Sequence, residues 1–124
     1  MKWCWLLVFF LATFAHADEA KWKGLNDAVA PLLLKGELPK AEQTAREVLA
    51  EGEKSFGASH LNTAASLSSL ALVLRYQKRY EESEKHYRRA LAIREKQLGP
   101  AHSNTALLML NMARSEEHTS ELQS

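Results

Sequence analysis

The chain has 124 residues, of which 16 are basic and 15 acidic, so its formal net charge is +1 with neutral histidines. This balance gives no reason to expect nucleic-acid binding, which needs a basic stripe or a strongly basic domain. Its single cysteine, Cys4, excludes an intramolecular disulfide and a cysteine-rich metal site. Sparse glycine and proline among strong helix formers predict a helical chain without long linkers.

Residues 1–17 have the order of a secretory signal peptide. Lys2 precedes an apolar stretch from Trp3 to Phe14, and Ala15-His16-Ala17 supplies a cleavage site of the small-x-small type. A membrane span needs about 20 apolar residues, and the acidic pair Asp18-Glu19 interrupts this run sooner. We expect cleavage after Ala17, no membrane span in the mature chain, and a periplasmic or secreted location. An uncleaved membrane anchor is the alternative.

A nine-residue motif recurs, with some substitutions, 42 positions further along the chain. Residues 56–64 read Phe-Gly-Ala-Ser-His-Leu-Asn-Thr-Ala, and residues 98–106 read Leu-Gly-Pro-Ala-His-Ser-Asn-Thr-Ala. A fixed period of this size predicts stacked supersecondary units rather than one closed core. An extended helical surface of this kind favours binding over catalysis.

Two antiparallel helices are predicted between the two copies. The first runs from about 61 to 77, is capped by Ser59 or less favourably by Asn62, and carries an apolar stripe of Leu67, Leu70, Ala71 and Leu74. After a tight turn, the second runs from about 80 to 98 and ends at Gly99-Pro100. Its predicted inner side consists of Tyr80, Ser83, Tyr87, Ala90, Leu91 and Leu98.

The stretch from Thr63 to Pro100 resembles a tetratricopeptide repeat. The period and the Leu-Gly-Pro-x-His connection are similar to the variant found in kinesin light chains and many bacterial proteins. The family's small positions match Ala71, Ser83 and Ala90, and its large positions match Leu67, Leu70, Leu74, Tyr80 and Tyr87. The resemblance implies an all-α fold in which helical hairpins stack in a right-handed superhelix, without enzymatic activity and without a cofactor.

An atypical repeat precedes this one. Leu25, Ala28 and Leu32 align with the apolar stripe of the complete repeat, while Val29 occupies a position where the family has a small residue. Pro31 is expected to shorten or kink the first helix. Downstream, Met109, Met112 and Ala113 align with the start of a third repeat, so we expect residues 18–113 to hold two full repeats and the start of a third.

Residues 114–124 read Arg-Ser-Glu-Glu-His-Thr-Ser-Glu-Leu-Gln-Ser. This string resembles, residue for residue, the conceptual translation of a common short-read sequencing adapter. We therefore expect the segment to be adapter-derived, in which case His118 and its neighbouring glutamates form no site. A natural polar tail or a capping helix is the alternative.

No catalytic arrangement stands out, and the recurring histidines do not complete a metal site. His60 and His102 occupy equivalent positions, and a residue repeated in this way is better explained by packing, because no third ligand is placed beside it. Trp22 is expected to pack within the first repeat, with ligand stacking as the alternative. We expect no catalytic, cofactor or metal residues.

The resemblance places a partner on the concave face, which first-helix residues line in this family. The corresponding positions selected here as partner-binding are Ser68, Leu72, Arg75 and Tyr76, with Ala65 and Asn26 beside them. Arginine and tyrosine are common at binding hot spots. Related repeats often carry asparagine where this chain has Ser68-Ser69, and the shorter serine weakens the case for a clamp on a peptide backbone.

Two functions remain open at this point. The first is a non-enzymatic interaction scaffold that binds a peptide or protein partner. The alternative is the N-terminal recognition region of a larger secreted enzyme, for example a caspase-like peptidase, whose catalytic part would follow residue 113.

Overall fold

The computed structural model describes the backbone of residues 2–99 and the side chains of residues 18–99. This part of the chain forms four α-helices and no β-strand: α1 Lys2–Leu34, α2 Leu38–Phe56, α3 Leu61–Tyr76 and α4 Tyr80–Leu98. Each helix packs against the next, and α1 also contacts α3 over a short stretch. These stacked hairpins confirm the expected all-α class. The predicted third repeat, His102 and residues 114–124 lie outside the described residues.

The sequence period reappears in the positions of the helix ends. α2 and α4 begin at Leu38 and Tyr80, which are 42 residues apart, and they end at residues with the same spacing. The glycines that follow them, Gly57 and Gly99, both have φ of 88°. This left-handed conformation suits glycine because it lacks a Cβ atom. The predicted helices 61–77 and 80–98 are therefore confirmed to within one residue.

The two hairpins close with the same turn. In the first, the Glu37 amide donates to the Leu32 carbonyl at 2.9 Å, and in the second the Arg79 amide donates to the Leu74 carbonyl at 2.9 Å. The residue with positive φ in this turn is Gly36 in the first hairpin and Lys78 in the second, at 75° and 64°. A side chain costs free energy in this region, so the second turn is the more strained of the two.

Pro31 does not shorten α1, so that part of the expectation is wrong, whereas a kink stays a prediction. The helix continues for three residues to Leu34, the position equivalent to the end of α3. The carbonyl of Pro31 accepts a hydrogen bond from the Lys35 amide at 3.1 Å. A proline this close to the end removes one helical hydrogen bond but leaves those of the final turn intact.

The core consists of two clusters that meet on α3. The first joins α1, α2 and α3 and contains Trp22, Val29, Ala41, Ala45, Val48, Leu70, Val73 and Leu74. The second joins α3 and α4 and contains Ala64, Leu67, Ala71, Tyr87, Ala90 and Ile93. Leu67 and Leu74 are both fully buried, as the apolar stripe predicts. Each such side chain contributes about 1.5–3 kcal/mol through burial.

Two details of the predicted faces need correction. On α4, Ile93 is buried although it was not selected, whereas Tyr80, Leu91 and Leu98 are only half-buried. Ile93 lies one turn after the buried Ala90 and shares its face, while Leu91 lies at the edge. On α1, Ala28 is exposed although the equivalent Leu70 is buried. α3 lies between two neighbouring helices, whereas among the described residues α1 packs mainly on one side.

The described helices contain no apolar stretch that is long enough to cross a membrane. The expected cleavage site after Ala17 lies within α1, and cleavage there stays a prediction.

Candidate functional site: a groove between α1 and α3

An open groove with a volume of about 520 Å³ lies between the last turns of α1 and the middle of α3. Its walls are mostly aliphatic, with polar groups towards one end. The lining side chains are Asn26, Asp27, Val29, Ala30, Pro31, Leu33, Leu34, Ser69 and Leu72. A volume in the range of about 300–1,000 Å³ is typical of sites that bind small molecules or short peptide segments.

The apolar wall comes from an unusually apolar end of α1. Residues 28–34 are all apolar, and one stripe facing the core cannot accommodate seven consecutive residues of a helix. The surplus faces the groove or the solvent. Leu34 is 89% exposed, and Tyr76, at the equivalent end of α3, is 60% exposed. Leu34 also lines the groove, and an exposed apolar side chain beside an apolar groove extends a candidate interaction surface.

The polar end of the groove is formed by Asn26 and Ser69. The Ser69 hydroxyl donates to the Asn26 side-chain oxygen at 3.0 Å, which links α1 to α3. The carboxamide nitrogen of Asn26 carries two N–H groups that can donate hydrogen bonds to a ligand. Next to it, Asp27 pairs with Lys23 at 2.9 Å, and hydrogen bonding to Asp27 followed by its charge raises the pKa of Lys23.

The structure brings only part of the predicted site together. Leu72 lines the groove with Asn26. Ser68 is not one of the lining residues, and its hydroxyl donates within α3 to the Ala64 carbonyl at 3.0 Å. Tyr76 lies exposed at the end of α3 beyond the groove lining.

Arg75 is half-buried on the side of α3 that faces α4. Burial raises the pKa of the Tyr87 hydroxyl, and the positive charge of Arg75 opposes that rise. Arg75 lies one helical turn after Ala71, which packs in the cluster between α3 and α4, so Arg75 continues that face of α3 and lies outside the groove lining.

Behind the polar end, Trp22 is buried and reaches across to the second repeat. Its indole Nε1 donates to the Ser66 hydroxyl at 2.7 Å, and its ring meets Phe56 edge-on with centroids 6.0 Å apart. Only 8% of Trp22 is exposed. The packing expectation is therefore confirmed, although it spans both repeats, and the alternative of ligand stacking is wrong.

His60 packs as its repetition predicts, and it also caps α3, which the sequence did not indicate. The cap of α3 is His60 rather than Ser59 or Asn62: its Nδ1 accepts a hydrogen bond from the Asn62 amide at 3.0 Å. The helix begins at Leu61, so the capping position is the residue before it. The imidazole also stacks on Phe56 with ring centroids 4.9 Å apart.

The opposite surface, on α2 and α4, is charged and self-paired. Arg79 bridges to Glu42 at 2.7 Å and to Glu82 at 2.8 Å, and Arg46 bonds Glu42 at 2.9 Å. Burial raises the pKa of Glu42, but hydrogen bonds from Arg46 and Gln77 and the nearby arginine charges outweigh burial and lower it overall. The groove is thus the less polar of the two surfaces.

Comparison with known proteins agrees with this architecture. The family model described as a tetratricopeptide repeat matches residues 32–94 and residues 67–124, which together include α2, α3 and α4. The second match includes residues 114–124, and their adapter origin stays a prediction, as does the kinesin-light-chain-like subtype. No curated protein matches the chain. On the family model, which covers more than half of its residues, the chain belongs to the tetratricopeptide repeat family.

Proposed function

We propose that this chain is a non-enzymatic scaffold that holds a peptide or protein partner in the groove between α1 and α3. Repeats of this family generally mediate protein–protein interaction. The observation that carries the proposal is the groove itself. It is open and mostly aliphatic, has Asn26 and Ser69 at its polar end, and lies where the first helices of both repeats meet.

An extended peptide segment fits this groove chemically. Apolar side chains of the partner would pack against Leu33 and Leu72, while the Asn26 carboxamide donates to a backbone carbonyl of the peptide. Leu34 and Tyr76 provide apolar contact at the open end. Main-chain hydrogen bonds with side-chain pockets are a recurring mode of peptide recognition.

We further propose that the partner is met outside the cytoplasm, after cleavage at Ala17. Every residue that lines the groove lies downstream of this position, so the mature chain retains the whole site.

A matched pair of alanine variants tests the groove. Ala30 lies exposed in the groove and Ala92 lies exposed on α4, so Ala30→Glu and Ala92→Glu make the same change at two helical surfaces. Both proteins and the wild type are used to capture partners from a periplasmic extract, with helix content checked by circular dichroism. We expect Ala92→Glu to retain the wild-type partner and Ala30→Glu to lose it. Equal retention by both variants contradicts the proposal.

The open end is tested separately. An Arg75→Ala/Tyr76→Ala double variant is compared with Tyr76→Ala alone. Because Arg75 lies towards α4, we expect the single and double variants to weaken capture equally.

A further inference from the structure

We propose that the buried hydrogen bond between Trp22 and Ser66 fixes the spacing of α1 and α3, and thereby the width of the groove. Trp22 and Ser66 are positioning residues here, since neither lines the groove. The importance of this spacing for binding rests on the proposed function, whereas the spacing itself is measurable without a partner.

The bond joins two helices that otherwise touch little. α1 packs mainly against α2 and contacts α3 only over a short stretch. Within that stretch, the Trp22 indole donates to the Ser66 hydroxyl at 2.7 Å, and Ser66 in turn donates to the Asn62 carbonyl of its own helix at 2.9 Å. Both side chains are buried, so water cannot replace a lost partner.

The third helix at this point leaves space for the bond because it presents a glycine. A Cβ atom on Gly52 of α2 would lie 3.0 Å from the Ser66 hydroxyl oxygen and 3.3 Å from the Trp22 indole nitrogen. Three helices therefore converge where the two side chains meet, and none of them can shift without changing the bond.

The bond lies behind the polar end of the groove, and Leu34 and Tyr76 lie further along the same two helices. One turn beyond Trp22, Asn26 accepts the second hydrogen bond between α1 and α3, from Ser69. From Trp22 to Leu34 the helix rises about 18 Å, so a tilt of about 10° at Trp22 moves the end of α1 by about 3 Å. Small changes at the bond are thus amplified at the open end.

A purely space-filling role for Trp22 makes a different prediction. If the indole only fills the core, removing the hydroxyl of Ser66 leaves the helix spacing unchanged, because the ring keeps its contacts. Ser68 provides the matched control: it lies two residues away in α3, and its hydroxyl bonds only within that helix.

The experiment measures the distance between the ends of α1 and α3. In the full chain with Cys4→Ser, spin labels are attached at Leu34→Cys and Tyr76→Cys, which are exposed and equivalent in the two repeats. Pulsed electron paramagnetic resonance then gives the distance distribution in the absence of any partner. In the Ser66→Ala background we expect a broader distribution displaced by about 3 Å, the amplitude that a tilt of about 10° produces over the distance of about 18 Å from Trp22 to Leu34. In the Ser68→Ala background we expect the parent distribution.

Trp22→Phe is the second variant: it keeps an aromatic ring but removes the indole N–H together with part of the ring volume. It is expected to displace the distribution as Ser66→Ala does, and it is the second measurement if Ser66→Ala fails to fold. Parent-like distributions in the folded variants overturn the inference. A displaced distribution with unchanged partner capture instead leaves the spacing role intact and counts against the proposed function of the groove.

Discussion

Replacing Gly52 by alanine sets two opposing effects against each other at one residue. Gly52 lies inside α2 and is buried, and its position faces the bond between Trp22 and Ser66. Alanine is the better helix former by about 0.8–1 kcal/mol. Helix propensity alone therefore predicts a more stable protein.

Packing predicts the reverse. The new methyl group would lie 3.0 Å from the Ser66 oxygen and 3.3 Å from the Trp22 nitrogen, closer than ordinary contacts. Ser66 cannot rotate away without losing the bond from the buried indole. Overpacking costs about 1–3 kcal/mol, and an unsatisfied buried donor costs a similar amount. We expect a net loss of about 1–2 kcal/mol in the free energy of unfolding.

Gly24 provides the control, since it is also a glycine within a helix. A Cβ atom there meets nothing within 4 Å. Gly24→Ala should therefore stabilise the protein by about 0.8–1 kcal/mol through helix propensity alone. Urea unfolding followed by circular dichroism gives both values, provided that the slopes agree. If Gly52→Ala is stabilised as much as Gly24→Ala, the close approach of the three helices is refuted.

Three further predictions concern the turn, the charged surface and the N-terminus. Lys78→Gly should stabilise the protein by about 0.5–1 kcal/mol in urea unfolding, because φ of 64° is strained for any residue with a Cβ atom. The equivalent residue of the first turn, Gly36, has no Cβ atom and avoids this strain. Burial, then Arg46, lowers the pKa of His86 from 6.5, with weaker repulsion from Arg89 and Lys85 and a partial offset from Glu82. Because the pKa of His86 is lower in the folded protein, the unfolded chain binds a proton more readily, and the free energy of unfolding decreases as pH falls through 6.5. His86→Gln removes this group, so its free energy of unfolding should decrease less than that of the wild type. Thermal unfolding of the wild type and His86→Gln is measured above and below pH 6.5, and an equal loss of stability in the two proteins would exclude this effect. Mass spectrometry of the exported protein should give Asp18 as the first residue, and a retained residue 1–17 segment would support the membrane-anchor alternative.

Much of the fold could be predicted because its interactions repeat at the sequence period. The ends of α3 and α4 and the burial of Leu67 and Leu74 follow from helical spacing within one repeat. Ser83 is buried against α3, where its hydroxyl donates to the Ala71 carbonyl at 2.7 Å, as a small residue at a close helix contact should be. Such contacts lie within a hairpin, so local pattern is enough to find them.

The candidate site was only partly predictable for the same reason. Leu72 and Asn26 were found from positions equivalent to those of related repeats, but Arg75 proved to face α4. The apolar wall was missed, although seven consecutive apolar residues at the end of α1 exceed what one buried stripe can use. That surplus is a signal which sequence reasoning can use.

The sequence by itself determined a helical hairpin of fixed length, its turns and its repetition. Each of these depends on residues within one hairpin or on residues one full repeat apart. Only the tertiary structure decided how the hairpins meet. The bonds from Trp22 to Ser66 and from Ser69 to Asn26 join residues 44 and 43 positions apart, outside the period of 42. The register shifts because the crossing of α1 and α3, and not the repeat of the sequence, selects which side chains come within bonding distance.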